Sequence, residues 1–139
     1  MSRRLLLQKP FTRNMPLLTI RVAIRNPISG RQTSFDQECW VDTGFSGGLH
    51  VPQYHESDMK MIGVEPRPTT VRLAGGVPGA GQVCVGYVQC IEGHNLPSPG
   101  IQTELLMHGG ETHGLLGLSI LRSWITEFDG PKQVLSIYD

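Results

Sequence analysis

Trp40-Val41-Asp42-Thr43-Gly44-Phe45-Ser46-Gly47-Gly48 is the stretch on which the reading of the whole chain turns. Apolar residues run into a single carboxylate. A short hydroxyl residue and a glycine follow, and two more glycines complete the turn. A strand that ends by presenting an acid on a tight turn is one way to build a reactive carboxylate, because glycine lets the backbone come close to it. The same composition also suits an ordinary Asx turn at a strand end. The stretch must therefore be weighed against the rest of the chain.

Working outward, Leu17 to Arg25 alternates. Leu18, Ile20, Val22 and Ile24 face one way, and Thr19, Arg21, Ala23 and Arg25 face the other, which predicts a half-buried strand. Asn26-Pro27-Ile28-Ser29-Gly30 is turn chemistry, and Gln32 to Val41 returns as a second strand that delivers Asp42. Leu49-His50-Val51 predicts a short strand. Pro52 to Ile62 has a weak helical pattern, with Tyr54, Asp58 and Met61 near one face, Met59 and Ile62 on another, and Gly63 as its cap. Val64 to Pro68 reads as extended linker and Thr70 to Leu73 as a strand. Ala74 to Gly81 reads as a mobile hairpin tip or loop, Val83 to Ile91 as a long strand, and Ile101 to Met107 as another. Near the end, Gly114-Leu115-Leu116-Gly117-Leu118 is an apolar run bracketed by glycines. Ser119 is placed to cap a short helix over 120–124, and a hairpin turning at Asp129-Gly130-Pro131-Lys132 closes the chain.

The chain has 139 residues, which fits one domain with a self-sufficient core. Seventeen glycines and ten prolines, with few long helical patterns, favour a mostly-β architecture of short strands. The expected organisation is an N-terminal arm over 1–14 and a single domain over 15–139. Formal net charge is zero, so the global balance suggests no nucleic-acid partner. Arg3, Arg4, Lys9, Arg13, Arg21, Arg25 and Arg31 all precede the first acid, Asp36. They are spaced rather than blocked, so a solvated arm and strand face is the plainer reading than an anion-binding surface. Cys39, Cys84 and Cys90 form no CxxC, and the odd count points to buried, reduced thiols and a cytoplasmic location. The Leu5-Leu6-Leu7 run is broken by Gln8-Lys9-Pro10 too early for a secretory signal, and no stretch is long enough for an apolar membrane span.

Asp42-Thr43-Gly44 after an apolar run resembles the Asp-Thr-Gly motif of aspartic proteases. Far downstream, Leu115-Leu116-Gly117 resembles that group's second signature, two apolar residues and a glycine. Together with Leu118-Ser119-Ile120-Leu121, Phe128-Asp129-Gly130 and a final strand, the pattern resembles the single-domain, retropepsin-like members of the group, including prokaryotic ones, over roughly residues 15–139. The resemblance implies a closed, orthogonal β-barrel with one or two short helices. It implies an aspartic endopeptidase with Asp42 as the catalytic acid and no cofactor or metal. The mechanism uses two carboxylates that share a proton, and this chain carries one such motif. The resemblance therefore implies a homodimer contributing one Asp42 from each copy. Thr43 would bond across the dimer axis, Gly44 would bring backbone N–H groups to the carboxylates, and Leu116 and Gly117 would pack behind the acid. A flap near 73–83 would close over an extended peptide, with Phe45, Ser46, Gly47, Leu73, Ala74 and Gly75 touching it. Phe45 stands where pepsin-like members carry a hydroxyl and retroviral members an alanine. Ser46 stands where retroviral members carry a second aspartate. At Ser119 relatives often carry aspartate, another capping residue.

Other constellations are weaker. His50, His55, His94, His108 and His113 show no His-Glu-x-x-His frame. The glycines over 75–81 lack the Gly-Lys-Ser/Thr ending and following helix of a phosphate loop. Ser46 and Ser119 have no serine-hydrolase frame, and Trp40 and Trp124 read as core or dimer-interface aromatics. Two alternatives remain beside the peptidase: a catalytically inactive dimerisation or peptide-binding module of the same fold, and a small β-barrel binding protein in which Asp42 is structural.

Overall fold

The structure is a computed structural model that describes residues 3–11, 15–72, 76, 78–92, 100–109 and 112–138. Among these residues, ten strands and two short helices follow one another as β1 (Leu5–Pro10), β2 (Leu17–Arg25), β3 (Gln32–Val41), β4 (Leu49–Val51), α1 (Glu56–Met61, after a 3-10 turn over Gln53–His55), β5 (Arg67–Arg72), β6 (Pro78–Cys90), β7 (Ile101–Met107), β8 (Gly114–Leu116), α2 (Leu118–Leu121), β9 (Ile125–Asp129) and β10 (Val134–Tyr138).

The alternation in β2 produces the expected two faces. Leu18, Ile20, Val22 and Ile24 are buried, while Arg21 and Arg25 are exposed. Because β2 is apolar on one face only, it can wrap a core while its edges pair on both sides. It pairs antiparallel with β3 along its whole length, from Leu17↔Trp40 to Arg25↔Gln32, and with β6 from Ile20↔Cys90 to Ala23↔Tyr87. That second pairing closes β2-β3-β8-β4-β7-β6 into a six-stranded barrel, with β5 hydrogen-bonded to the free edge of β6. Two pairings are parallel, β3 with β8 and β4 with β7. The barrel interior holds Val41, Leu49, Val51, Met59, Leu105, Met107, Leu116 and Ile120, all fully buried. Met59 and Ile62 bring α1 onto this core, while Tyr54 and Met61 face outward. Gly63 ends the helix with a φ of +76°, a conformation that glycine adopts without steric cost.

Three expectations are corrected. Residues 5–10 are not a loose arm but a strand. β1 pairs antiparallel with β10, and β10 with β9, in a second, three-stranded sheet. Leu6 and Leu7 are buried, and Lys9 forms an ion pair with Glu92, whose carboxylate also accepts the Thr19 N–H. The hairpin arm over 78–81 is strand rather than loop. β5 and β6 pair from Arg67↔Val83 to Arg72↔Pro78, and no more than residues 73–77 connect them. The helix after the second apolar run spans Leu118–Leu121 with Gly117, not Ser119, at its N-cap. No helix among the described residues is long and apolar enough to cross a membrane.

Candidate active site

Asp42 follows directly on β3, and its position is set by a strand far away in sequence. β8 lies parallel to β3 with Trp40↔Leu115 and Val41↔Leu116 in register. The Asp42 N–H continues this ladder by donating to the Leu116 carbonyl at 2.9 Å. The acid then closes its own turn. Asp42 Oδ1 accepts the Gly44 N–H at 2.8 Å, and the Phe45 N–H donates to the Asp42 carbonyl at 3.2 Å. Asp42 is half-buried as a residue, and Thr43 is exposed at the crown of the turn.

The rest of the turn is sewn to the second apolar run. Gly117 donates to the Gly48 carbonyl at 2.8 Å, Leu118 to the Phe45 carbonyl at 2.8 Å, and Ser119 to the Gly47 carbonyl at 3.1 Å. The first turn of α2 therefore spends its free N–H groups on the carbonyls of the Asp42 turn, which satisfies both partners without a side-chain cap. Such close approach requires glycine. A Cβ on Gly117 would collide with the Gly47 carbonyl oxygen and lie 2.7 Å from the Phe45 carbonyl oxygen. A Cβ on Gly48 would collide with Thr103 Oγ1 and sit 3.2 Å from Ser119 Oγ.

Two concave surfaces meet at this turn. One is a shallow hollow of about 450 Å³, lined by Met15, Trp40, Asp42 and Leu115. Its lining is apolar except for the acid. The other is a cleft of about 540 Å³ between the turn at 44–48 and the outer strand β5, reaching Val83, Glu104 and Leu106. The β5 arm of the β5–β6 hairpin, Thr69 to Arg72, forms the far wall of this cleft.

The structure thus brings together Asp42, Thr43, Gly44, Phe45, Ser46, Gly47, Leu116 and Gly117. Leu73, Ala74 and Gly75, expected to touch a ligand from the hairpin tip, lie outside the described residues. The sequence reading did not single out Met15, Leu106 or Glu104, and no local motif marks them; strand pairing carries Leu106 and Glu104 to the site, and Met15 arrives just before β2, next to Pro16, whose carbonyl accepts the Val41 N–H.

Elsewhere, chemistry-bearing side chains are accounted for by structure. The three cysteines are free and buried. Burial pushes the Cys39 thiol up to about 12 and those of Cys84 and Cys90 up to about 11, so none is a nucleophile near neutrality. Arg21 clamps Asp36 through two nitrogens at 2.9 and 3.2 Å on the outer face of β2–β3. His55 is buried, stacked on Phe35 at 3.7 Å, with Nε2 2.8 Å from Gln37 Oε1 and Nδ1 3.4 Å from Asp58. His50 Nε2 lies 2.9 Å from the His108 carbonyl, and His108 Nδ1 lies 2.9 Å from the Ala80 carbonyl, so these rings brace the β6 arm of the β5–β6 hairpin. Among the described residues, no group of three His, Cys, Asp or Glu side chains is placed to hold a metal ion. Compared with protein-family models, with curated proteins and with solved structures, the chain finds no match.

Proposed function

We propose that the chain is an aspartic endopeptidase of the retropepsin-like type, active as a homodimer in which Asp42 of each copy faces the other across the two-fold axis. The observation that carries this reading is the parallel β3–β8 pairing. It places Leu115-Leu116-Gly117 behind the Asp42 turn, with Asp42 on the hollow beside Trp40 and Leu115 and residues 44–48 of the same turn forming one wall of the neighbouring cleft. In the proposed dimer the hollow lined by Met15, Trp40 and Leu115 is covered by the second copy, which removes apolar surface from water and brings two acids together.

Two carboxylates a few Å apart share one proton, because both cannot ionise cheaply. The pair then titrates as a unit. The ionised member takes a proton from a water, and the resulting hydroxide adds to the scissile carbonyl carbon. The protonated member donates to the carbonyl oxygen. Collapse of the tetrahedral species expels the amine, which takes up the proton that the first carboxylate drew from water, while the second carboxylate recovers a proton from a hydroxyl of the tetrahedral species. An extended peptide would lie in the cleft by strand-like pairing with β5, and the β5–β6 hairpin would act as the flap. A reducing cytoplasm belongs to the same proposal, since all three thiols are buried and unpaired.

Digestion of a peptide library by the wild type and by Asp42→Asn tests this. Cleavage that vanishes in the variant, with folding and self-association retained, supports the dyad. Absence of cleavage from acidic to neutral pH by a protein shown to be dimeric would leave a peptide-binding or dimerisation module in its place. A strict monomer at high concentration would remove both.

A further inference from the structure

The residue three positions after the acid is a phenylalanine, and its ring is held in one place. A Cβ built on Gly47 would lie 2.7 Å from Phe45 Cζ and 2.8 Å from Cε1. A Cβ built on Gly117 would lie 2.7 Å from Phe45 Cδ2. The ring therefore rests on the bare backbone of both glycines, folded against its own turn. It is half-buried and forms part of the cleft wall on the acid's side. Across the cleft, Val71 and Leu106 converge over Gly81, where a Cβ would lie 3.0 Å from Val71 Cγ1 and 3.5 Å from Leu106 Cδ1. Apolar side chains thus stand on both sides of the passage, and each is seated against a glycine that has no side chain to move aside.

We infer that Phe45 sets an upper limit on side-chain size in the cleft. A bound peptide must present a small residue, such as glycine, alanine or serine, where it crosses the turn at 44–48. The chain has filled this space from its own side, so a bulky substrate side chain would have to displace a ring backed by main chain. The inference rests on the proposal that the cleft takes peptide. It does not depend on whether the dyad hydrolyses it.

Binding separates the two questions. A peptide array varied one position at a time is probed with Asp42→Asn and with the double variant Asp42→Asn/Phe45→Ala, both verified as folded by thermal melting. At one array position the single variant should retain peptides with glycine, alanine or serine and reject leucine and phenylalanine. The double variant should gain at least ten-fold in retention of the bulky residues there. Phe45→Leu, which keeps an apolar cover on Gly117, serves in place of Phe45→Ala if the alanine variant does not fold, and should show a smaller gain of the same sign. An unchanged size preference overturns the inference, as does failure of either protein to retain any peptide. Size-selective binding together with no cleavage by the wild type would uphold the inference and overturn the dyad.

Discussion

At the scale of single residues, the site depends on what is missing as much as on what is present. Asp42 owes its placement to one strand-like hydrogen bond and two turn bonds, but the turn can dock on α2 only because Gly117 has no side chain. Main-chain carbonyls crowd that position, and main chain cannot rotate out of the way as a flexible side chain can. Gly117→Ala should therefore destabilise the protein by about 3 kcal/mol, at the upper end of what overpacking costs. Gly130→Ala is the matched control. Nothing lies within 4 Å of the added carbon and φ there is not positive, so its effect should stay within about 0.5 kcal/mol. Chemical denaturation of both variants checks this, and equal losses would show that the crowding at Gly117 is relieved by movement of the turn. Local sequence made part of this legible. The glycines and the acid marked a tight turn, and the two apolar residues before Gly117 marked a buried run. That Ser119 does not cap α2 was not legible, because carbonyls from a turn remote in sequence take the N–H groups of Gly117, Leu118 and Ser119 and start the helix earlier, so that the Leu121 and Arg122 N–H groups bond to the Gly117 and Leu118 carbonyls instead.

At the scale of elements, strands flanked by turn residues were readable and their partners were not. β2 and β3 match their expected limits because alternation of period two starts and stops at Pro, Gly and Asn. The β5–β6 hairpin was read too short. Glycines over 79–81 look like loop, yet Gly81 is the gap into which Val71 and Leu106 pack. β1 was misread more fundamentally: Leu5-Leu6-Leu7 has no alternation, and its partner β10 is at the other end of the chain. Deleting residues 1–10 should thus cost stability rather than remove a tail. Leu6 and Leu7 alone account for about 3–6 kcal/mol of burial, comparable with the whole margin of a small domain. A clear drop in the denaturant midpoint is expected, and an unchanged midpoint would restore the arm. The junction between β3 and α1 adds a pH dependence. Burial holds His55 below its ordinary value of 6.5, against the opposing pull of Asp58. The unfolded chain therefore takes up a proton that the folded one refuses. Stability should be complete above pH 6.5 and decline as pH falls from there toward the folded value. In melts from pH 7.5 to 5, His55→Gln should flatten this slope even if it lowers stability overall, and an undiminished slope would assign it to other groups.

At the scale of the whole molecule, the decisive feature is that one barrel presents one acid of this kind at the edge of an apolar hollow. The Asp42 turn is held from below by its hydrogen bonds to β8 and α2, and among the described residues Asp42 shares its hollow with Met15, Trp40 and Leu115 and no second acid. If hydrolysis needs two Asp42 carboxylates, the working unit is the pair, and it can be poisoned. Wild type and Asp42→Asn co-expressed in equal amounts and allowed to assemble at random would form wild-type pairs in about one quarter of the dimers. Mixed pairs would hold one carboxylate and one amide, which cannot share a proton. Activity relative to an equal total amount of wild type should therefore fall to about one quarter, whereas independently acting chains would retain about half. Dilution should act in the same direction: specific activity should fall as the pair dissociates, along the same curve that sedimentation gives for dimer content. A mixed preparation that keeps half its activity, or cleavage that persists undiminished when the protein is monomeric, would rule out the shared dyad and require that a single Asp42 turn act alone.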